Sequence, residues 1–321
     1  VDGVRLLRRQ CQPLLLAVPP TQERTPGGRP NPPRIEGHHL PRRHCAGNAR
    51  KRGVRVLWYI SPKVWAWNQN RAYKLKAVID RMFVILPFEK EFFKRFGWEV
   101  DYVGNPVLDA VNDHQVDHDF LAKTKVVNAA SVVALLPGSR RQELVNVIPA
   151  MAEVVKQMPQ LTFVVAAVDN LPEQLYEPLK GFTNVRFITG STYDLLAHAR
   201  AAVVTSGTAT LETALFRVPQ VVVYRTSDIS YRIAKSLIRV PYISLVNLIA
   251  GKAAVRELIQ RDMNANKIQD ELQQLMAEGS YRQSVLEDYD RIIQLLDTGS
   301  ASVNTAALIL QDSKARALTE R

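Results

Sequence analysis

Two short glycine-containing segments carry residue types that suit an anionic ligand. The first, residues 135–140, follows an apolar run and precedes a helical pattern. The backbone N–H groups of Gly138 and Ser139 can face an anion there, and Arg140 can add a bidentate positive charge. The segment therefore predicts a diphosphate site. The alternative is an ordinary strand-to-helix turn with a solvated arginine.

The second segment follows another strand pattern and also opens a helix. Ser206 is expected to cap that helix, and Gly207 lets a ligand approach the backbone. Thr208 and Glu212 are four residues apart and share a helix face. The hydroxyl groups, including that of Thr210, suit a phosphate, and the carboxylate can accept hydrogen bonds from ribose hydroxyls. Alternatively, the hydroxyls only cap the helix and the acid only complements its dipole.

Further polar candidates come later in the chain. Tyr224 and Arg225 end a strand pattern, and the buried-looking segment 242–251 contains one amide, Asn247, that could bind a ligand or cap a turn. Between them lies a helical pattern that is either an amphipathic surface helix or a basic edge for phosphate or anionic lipid. Its basic face holds Arg232, Lys235 and Arg239, and its apolar face Ile233 and Leu237.

Aromatic residues mark the first half of the chain. Trp65 and Trp67 follow a strand pattern, so they are either a core plug or a platform for a sugar and an acyl chain. The next helical pattern carries four phenylalanines and three bases. One interpretation is that most of these phenylalanines pack in the core, and the other is that the helix lies on a membrane surface. The phenylalanines are Phe88, Phe92, Phe93 and Phe96, and the bases are Lys90, Lys94 and Arg95.

Several reaction classes lack their motifs. His114, His118 and His198 have no metal-ligand spacing, so no metal is expected, and no nucleophile elbow, Walker A or zincin motif occurs. The cysteines, Cys11 and Cys45, have no zinc spacing, which makes a reduced, cytoplasmic setting the default expectation. No stretch is apolar for long enough to span a membrane.

Alternating strand and helix patterns must position these residues, and they predict an α/β fold. Residues 54–112 form a first domain, and the polar stretch 112–128 leads to a second, doubly wound domain at 129–296. The last helical pattern, 297–321, can return to the first domain. Both glycine segments then fall at the carboxyl ends of strands, where open α/β sheets bind ligands.

Residues 1–53 differ in character from the rest. The first fifty contain eight Pro, nine Arg and three acids, so they contribute +6 of the net charge of +11. They predict either a disordered tail or a stretch read in the wrong frame. The mild positive excess elsewhere fits phosphorylated substrates or an anionic membrane better than nucleic acid.

Several motifs, in this order, resemble the lipid-A-disaccharide synthase family over about residues 54–296. They are Ser-Pro-Lys-Val-Trp-Ala-Trp at 61–67 with 68–71, Ile-Leu-Pro-Phe-Glu at 85–89, Val-Gly-Asn-Pro at 103–106, Leu-Pro-Gly-Ser-Arg at 136–140, 206–212, and 247–251. The resemblance implies two Rossmann-like domains of the GT-B type, the amino-terminal one incomplete, and no cofactor.

The resemblance also implies a reaction. UDP-2,3-diacylglucosamine would donate its sugar to 2,3-diacylglucosamine 1-phosphate, giving lipid A disaccharide 1-phosphate and UDP. Residues 138–140 and 206–210 would then face the donor diphosphate, Glu212 its ribose, and Asn247 the donor side of the cleft. Arg140 and a helix dipole can neutralise the departing UDP without a metal. The resemblance also implies peripheral attachment to the inner face of the cytoplasmic membrane, and it is compatible with a homo-oligomer.

This sequence departs from the family pattern at the start of the first domain. The family's Gly-Glu-Ala-Ser-Gly-Asp loop and its Val-Asp-x-Pro-x-Phe-Asn segment, which supplies the base, have no counterpart here, so the catalytic base is unassigned. Two alternatives to an active synthase therefore stay open: an inactive UDP-binding remnant of the family, and an enzyme similar to UDP-N-acetylglucosamine 2-epimerase. The epimerase lacks support because its expected acid and histidine set is not evident.

Overall fold

The computed structural model describes residues 14–18, 42–52, 54–126, 128–237 and 240–319. Most of the unusual opening segment, with Cys11, and also Arg239 lie outside the described residues. The chain divides into two compact units. The first comprises Val1–Asp109 and Leu296–Arg321, and the second comprises Ala110–Leu295.

Strands and helices alternate through both units, which confirms the predicted α/β class. The strands are β1 (Leu14–Val18), β2 (Arg55–Tyr59), β3 (Arg81–Val84), β4 (Asp101–Tyr102), β5 (Val132–Leu136), β6 (Thr162–Ala167), β7 (Val185–Thr189), β8 (Ala201–Thr205), β9 (Gln220–Tyr224) and β10 (Glu257–Ile259). The helices are α1 (Arg42–Lys51), α2 (Arg71–Lys76), α3 (Phe88–Lys94), α4 (Pro106–Asn112), α5 (Phe120–Lys123), α6 (Arg141–Gln157), α7 (Thr192–His198), α8 (Thr208–Leu215), α9 (Asp228–Leu237), α10 (Leu245–Ala250), α11 (Ala265–Met276), α12 (Ser280–Leu296) and α13 (Ala301–Thr319).

The first unit is built on a four-stranded sheet in the order β1-β2-β3-β4. Strands β2, β3 and β4 are parallel, whereas β1 pairs antiparallel with β2. Strand β1 and helix α1 lie inside residues 1–53, for which the sequence predicts no fold. An antiparallel edge strand cannot be joined to its neighbour by the right-handed crossover of a Rossmann unit, so β1 departs from the pattern of the rest of the sheet.

Helix α13 belongs to this first unit. Leu308 and Ile309 pack against the core formed by Leu57, Tyr59, Phe83 and Val103. At its start, the Asp109 carboxylate accepts hydrogen bonds from the Ser300 hydroxyl at 3.0 Å and from the Ala301 N–H at 3.3 Å. The end of the chain therefore covers a sheet formed by its beginning.

The second unit contains a six-stranded sheet in the order β10-β9-β8-β5-β6-β7, with every pair parallel. All five residues of β5 and of β8 are buried, as expected for parallel strands covered by helices on both faces. Their continuous runs of Val, Leu and Ala are the reason that they occupy the centre. The order is that of the doubly wound dinucleotide-binding fold.

Candidate functional site

The central pair of strands in the second unit brings the two glycine segments to one place. Strands β5 and β8 are hydrogen-bonded neighbours in which Leu136 pairs with Val204. The chain leaves β5 toward β6 on one side, and β8 continues toward β9 on the other, so the order reverses between them. Ligands of open α/β sheets bind at the carboxyl ends of strands at this reversal. Both predicted phosphate-binding turns begin there.

In the first turn, a carboxylate of the protein occupies the position predicted for an anion. The N–H groups of Ser139 and Arg140 donate to Glu143 Oε2 at 3.0 and 3.2 Å. The Arg140 guanidinium donates to Glu143 Oε1 at 2.9 Å, although its side chain is 81% exposed. The donor groups of this turn therefore surround a negative charge. The N–H groups come from Ser139 and Arg140, whereas the sequence predicts Gly138 and Ser139.

In the second turn, the hydroxyl groups are used differently from the prediction. Gly207, and not Ser206, is the N-cap residue of α8. The Ser206 hydroxyl instead donates to the Ile243 carbonyl at 2.9 Å, and that of Thr210, which is buried, donates to the Gly207 carbonyl at 2.8 Å. The prediction that Ser206 caps the helix is wrong, because extended backbone at Gly207 separates it from the helix. Only Thr208 is exposed at this turn.

Glu212 lies one turn into α8 and is largely buried. Its Oε1 accepts a hydrogen bond from the Tyr193 hydroxyl at 3.4 Å. Burial raises the pKa of the Glu212 carboxyl, and the Tyr193 hydrogen bond opposes this only in part. A carboxylate held in this way gains from additional donors, such as the hydroxyls of a sugar.

Two of the three histidines of this unit, His114 and His198, have structural partners. His114 Nε2 lies 2.9 Å from Asp194 Oδ1, which also accepts the Asp117 N–H at 2.9 Å. His114 also makes an edge contact with the Tyr193 ring, at 5.4 Å between centroids. Asp194 therefore fixes the polar stretch after α4 to the start of α7, beside the tyrosine that contacts Glu212. His198 Nδ1 bonds the Asp194 carbonyl, and His118 is exposed.

Another carboxylate, that of Glu257, organises the segment between α9 and β10. Its oxygens accept the N–H groups of Ile243 and Ser244 at 3.0 and 2.9 Å, and the Ser244 hydroxyl at 2.7 Å. The Ile243 carbonyl also accepts the Ser206 hydroxyl, so Glu257 is connected to the second glycine turn through one peptide. The sequence reasoning missed Glu257, because nothing in the pattern of a short strand marks its first residue as a hydrogen-bond acceptor.

Asn247 belongs to the same network and is fully buried. Its amide nitrogen donates to the Val255 carbonyl and to Glu257 Oε1, both at 2.9 Å, and its amide oxygen accepts the Val255 N–H at 2.9 Å. Both amide hydrogens are thus used within the protein. The expected hydrogen bond from Asn247 to a ligand is replaced by a structural role: the residue closes the turn between α10 and β10.

Arg225 is likewise engaged by the backbone. Its guanidinium donates to the carbonyls of Gln260 at 3.2 Å and Met263 at 2.7 Å. The side-chain amide of Gln260 in turn pairs with the backbone of Thr226, accepting at 2.8 Å and donating at 3.0 Å. Arg225, Thr226 and Gln260 help to line an open cavity of about 320 Å³ after β9. Tyr224, the last residue of β9, is half-buried.

The basic helix α9 is only partly described. Arg232, Lys235 and Leu237 are exposed, whereas Arg239 and the side chain of Ile233 lie outside the described residues. Within the described part of the chain, no helix is long and apolar enough to cross a membrane.

The two tryptophans of the first unit have different environments. Trp65 is buried, donates its indole N–H to Glu89 at 3.1 Å and packs edge-on against Phe88 at 5.1 Å. Trp67 is 45% exposed, with the Arg71 guanidinium 5.6 Å from its ring centre. Of the two alternatives left open, Trp65 fits the core plug and Trp67 keeps an accessible ring. Phe92 and Phe93 of α3 are buried, whereas the bases Lys90 and Lys94 of this helix, and Arg95 directly after it, are exposed.

Glu89 of α3 is buried at the centre of these contacts. The 85–89 motif contains it only as the last residue and does not indicate this role. Glu89 accepts hydrogen bonds from the Ser61 hydroxyl, the Trp65 indole and the N–H groups of Ile85 and Leu86. Desolvation raises its pKa, and these hydrogen bonds oppose the rise. It joins the loop after β2 to the loop after β3. The sequence signal for this role is an acid in the first turn of a helix, directly after Pro87 and Phe88, where a negative charge is favoured by the helix dipole.

The fold defines the class of protein: an α/β protein of the GT-B type, with a doubly wound unit that has two glycine turns at its topological switch point. Residues 41–310 match the family model for lipid-A-disaccharide synthetase. This chain belongs to the lipid-A-disaccharide synthase family, a family of glycosyltransferases. The match includes α1, which precedes the start at residue 54 that the sequence predicts for the resemblance.

Curated relatives carry the same name. The chain is 36% identical over 272 residues to the lipid-A-disaccharide synthase of Syntrophus aciditrophicus (strain SB), covering 83% of this chain and 71% of the relative. It is 34% identical over 270 residues to that of Coxiella burnetii (strain CbuG_Q212), covering 83% and 72%.

Solved structures support the fold alone. The crystal structure of a UDP-GlcNAc 2-epimerase from Neisseria meningitidis bound to UDP-GlcNAc has a TM-score of 0.52 and 17% identity. The likeness covers 74% of this chain and 63% of that one, so this chain spans less than two thirds of its length.

We predict that Glu212→Gln stabilises the protein at neutral pH. The pKa of the Glu212 carboxyl is raised in the folded protein, so the folded state loses stability as the pH rises from the unfolded-state pKa through the folded-state pKa. Glutamine carries no ionisable group and does not lose this stability. The gain in unfolding free energy should vanish at acidic pH, where the wild-type carboxyl is also neutral. Urea unfolding followed by circular dichroism measures it.

The exposed Glu287, changed to Gln, is the matched control and should leave stability unchanged at both pH values. A Glu212→Gln protein that is less stable than wild type at neutral pH would contradict the argument.

Proposed function

We propose that this chain transfers a 2,3-diacylglucosaminyl group from UDP to 2,3-diacylglucosamine 1-phosphate, releasing lipid A disaccharide 1-phosphate and UDP. Family membership supports the reaction class and the two substrates. Within the fold, the second unit is the proposed donor-binding unit, since it offers the anion-binding turns.

One observation carries the proposal: β5 and β8 are neighbours, so the turns that follow them open at the same edge of the sheet. The first turn supplies the Arg140 guanidinium and the N–H groups of Ser139 and Arg140. The second turn supplies the first N–H groups of α8. A diphosphate between them would meet positive or partially positive groups on two sides. Glu212 lies one turn further along α8 and would accept hydrogen bonds from the ribose hydroxyls.

These groups would act mainly on the leaving group. When the acceptor 6-hydroxyl attacks the anomeric carbon, the bond to the UDP oxygen breaks and negative charge grows on the diphosphate. Once the nucleotide is bound, donors arranged around that charge would lower the barrier. Ser206 and Asn247 would contribute indirectly, since they hold the segment around Ile243 against the turn. The base that accepts the hydroxyl proton stays unassigned.

A second candidate, a UDP-binding protein of the same family without turnover, is favoured by one specific feature. Strand β1 runs antiparallel to β2, which is not the arrangement of a complete Rossmann sheet in the first unit. The second unit would still bind UDP in that case, because its sheet and both turns are formed by residues 110–295 alone.

The decisive assay follows disaccharide formation from UDP-2,3-diacylglucosamine and 2,3-diacylglucosamine 1-phosphate by the full chain. We expect turnover, and we expect Arg140→Ala to lower kcat/KM by about 10- to 100-fold, since hydrogen bonds to charged groups contribute ~1.5–3 kcal/mol. The matched control is Arg141→Ala, an exposed arginine at the next position, which should retain activity.

UDP binding is measured on the same proteins. Binding that depends on Arg140 without turnover would support the inactive family member. Turnover that is unchanged by Arg140→Ala would contradict the donor site, and the absence of both turnover and binding would contradict both candidates.

We also propose peripheral attachment to the anionic inner face of the cytoplasmic membrane, where acylated substrates reside. The exposed bases of α3 and the exposed rings of Trp67 and Tyr73 support it. Charges on a surface are screened within about 8 Å at physiological ionic strength. Binding to vesicles that contain anionic lipid should therefore weaken as salt is raised, as measured by co-sedimentation.

A triple variant in which Lys90, Lys94 and Arg95 become Ser should sediment less, and vesicles of neutral lipid give the baseline. Retention that does not change with salt or with the triple variant would contradict the electrostatic part of the proposal. Self-association of the chain stays a prediction.

A further inference from the structure

Glu143 occupies the first glycine turn so closely that it takes the place of a ligand. Its Oε2 accepts two consecutive N–H groups, those of Ser139 and Arg140, while Oε1 accepts the Arg140 guanidinium. A Cβ atom placed on Gly138 would lie 2.4 Å from Glu143 Oε2, and the φ of Gly138 is +105°. Glycine at 138 therefore makes room for this carboxylate and not only for a substrate.

We propose that Glu143 is an intramolecular competitor for the donor diphosphate, so that the nucleotide binds by displacing its carboxylate from the turn. The inference rests on the proposed function, which assigns the diphosphate to this turn, and it adds a regulating contact to that site. Three of the donors that the turn offers to an anion already bond Glu143: the N–H groups of Ser139 and Arg140, and the Arg140 guanidinium.

The negative charge of Glu143 should weaken binding of a diphosphate at this turn. A diphosphate that approaches Arg140 meets the negative charge of Glu143 within a few ångströms, where like charges repel appreciably at the protein surface. Removing that charge eliminates the repulsion and frees the guanidinium. Glutamine at 143 keeps an oxygen in nearly the same position, so it can still accept the backbone N–H groups that start α6. The helix start is thereby preserved while the competitor loses its charge.

The experiment measures the dissociation constants of UDP and of uridine for the full chain by titration calorimetry at low ionic strength. We expect Glu143→Gln to lower the UDP dissociation constant by about three- to tenfold, and to leave that of uridine unchanged because uridine carries no phosphate. Glu153→Gln removes the same charge from an exposed position of the same helix, almost three turns away, and should leave both constants unchanged.

Weaker or unchanged UDP binding by a folded Glu143→Gln protein would overturn the inference, and so would equal tightening for uridine or by Glu153→Gln. Glu143→Ser is a second variant, since serine is also compatible with a helix start, and it should tighten UDP binding in the same direction. Arg140→Ala separates the two claims. If it does not weaken UDP binding, the assignment of the diphosphate to this turn fails; if it does while Glu143→Gln has no effect, only the competition fails.

Discussion

The pairing of β5 with β8 is the constraint on which the proposed donor site depends. Parallel strands release the chain at the same edge, and the reversal of strand order between these two leaves that edge open. Two segments almost seventy residues apart in the sequence are thereby placed side by side. Because both strands are buried along their entire length, a substitution there would displace the two turns together.

Carboxylates hold the parts that surround this edge. Glu143 organises the first turn, Glu257 the segment that supports the second, and Asp194 the polar stretch that enters the unit. Each accepts backbone N–H groups, which a side chain with a negative charge binds strongly. The site is therefore positioned largely by acids, although the ligand it is proposed to bind is itself an anion.

The sequence predicts the fold class and the location of the two turns, because apolar periodicity and glycine after a strand report local structure directly. It does not predict the partners of polar side chains. Ser206, Asn247 and Arg225 have the types expected of ligand-binding residues, yet each bonds the protein backbone. The acids that hold the loops, Glu89 and Glu257, were missed because their partners come from other elements and become neighbours only in the folded chain.

Amide hydrogen exchange of the full chain, with and without saturating UDP, tests the donor site most directly. We expect slower exchange at Ser139 and Arg140 in the first turn and at Thr208 and Ala209 in the second, since these N–H groups would contact the diphosphate. Protection confined to the cavity lined by Arg225, Thr226 and Arg261, with both glycine turns unchanged, would contradict it.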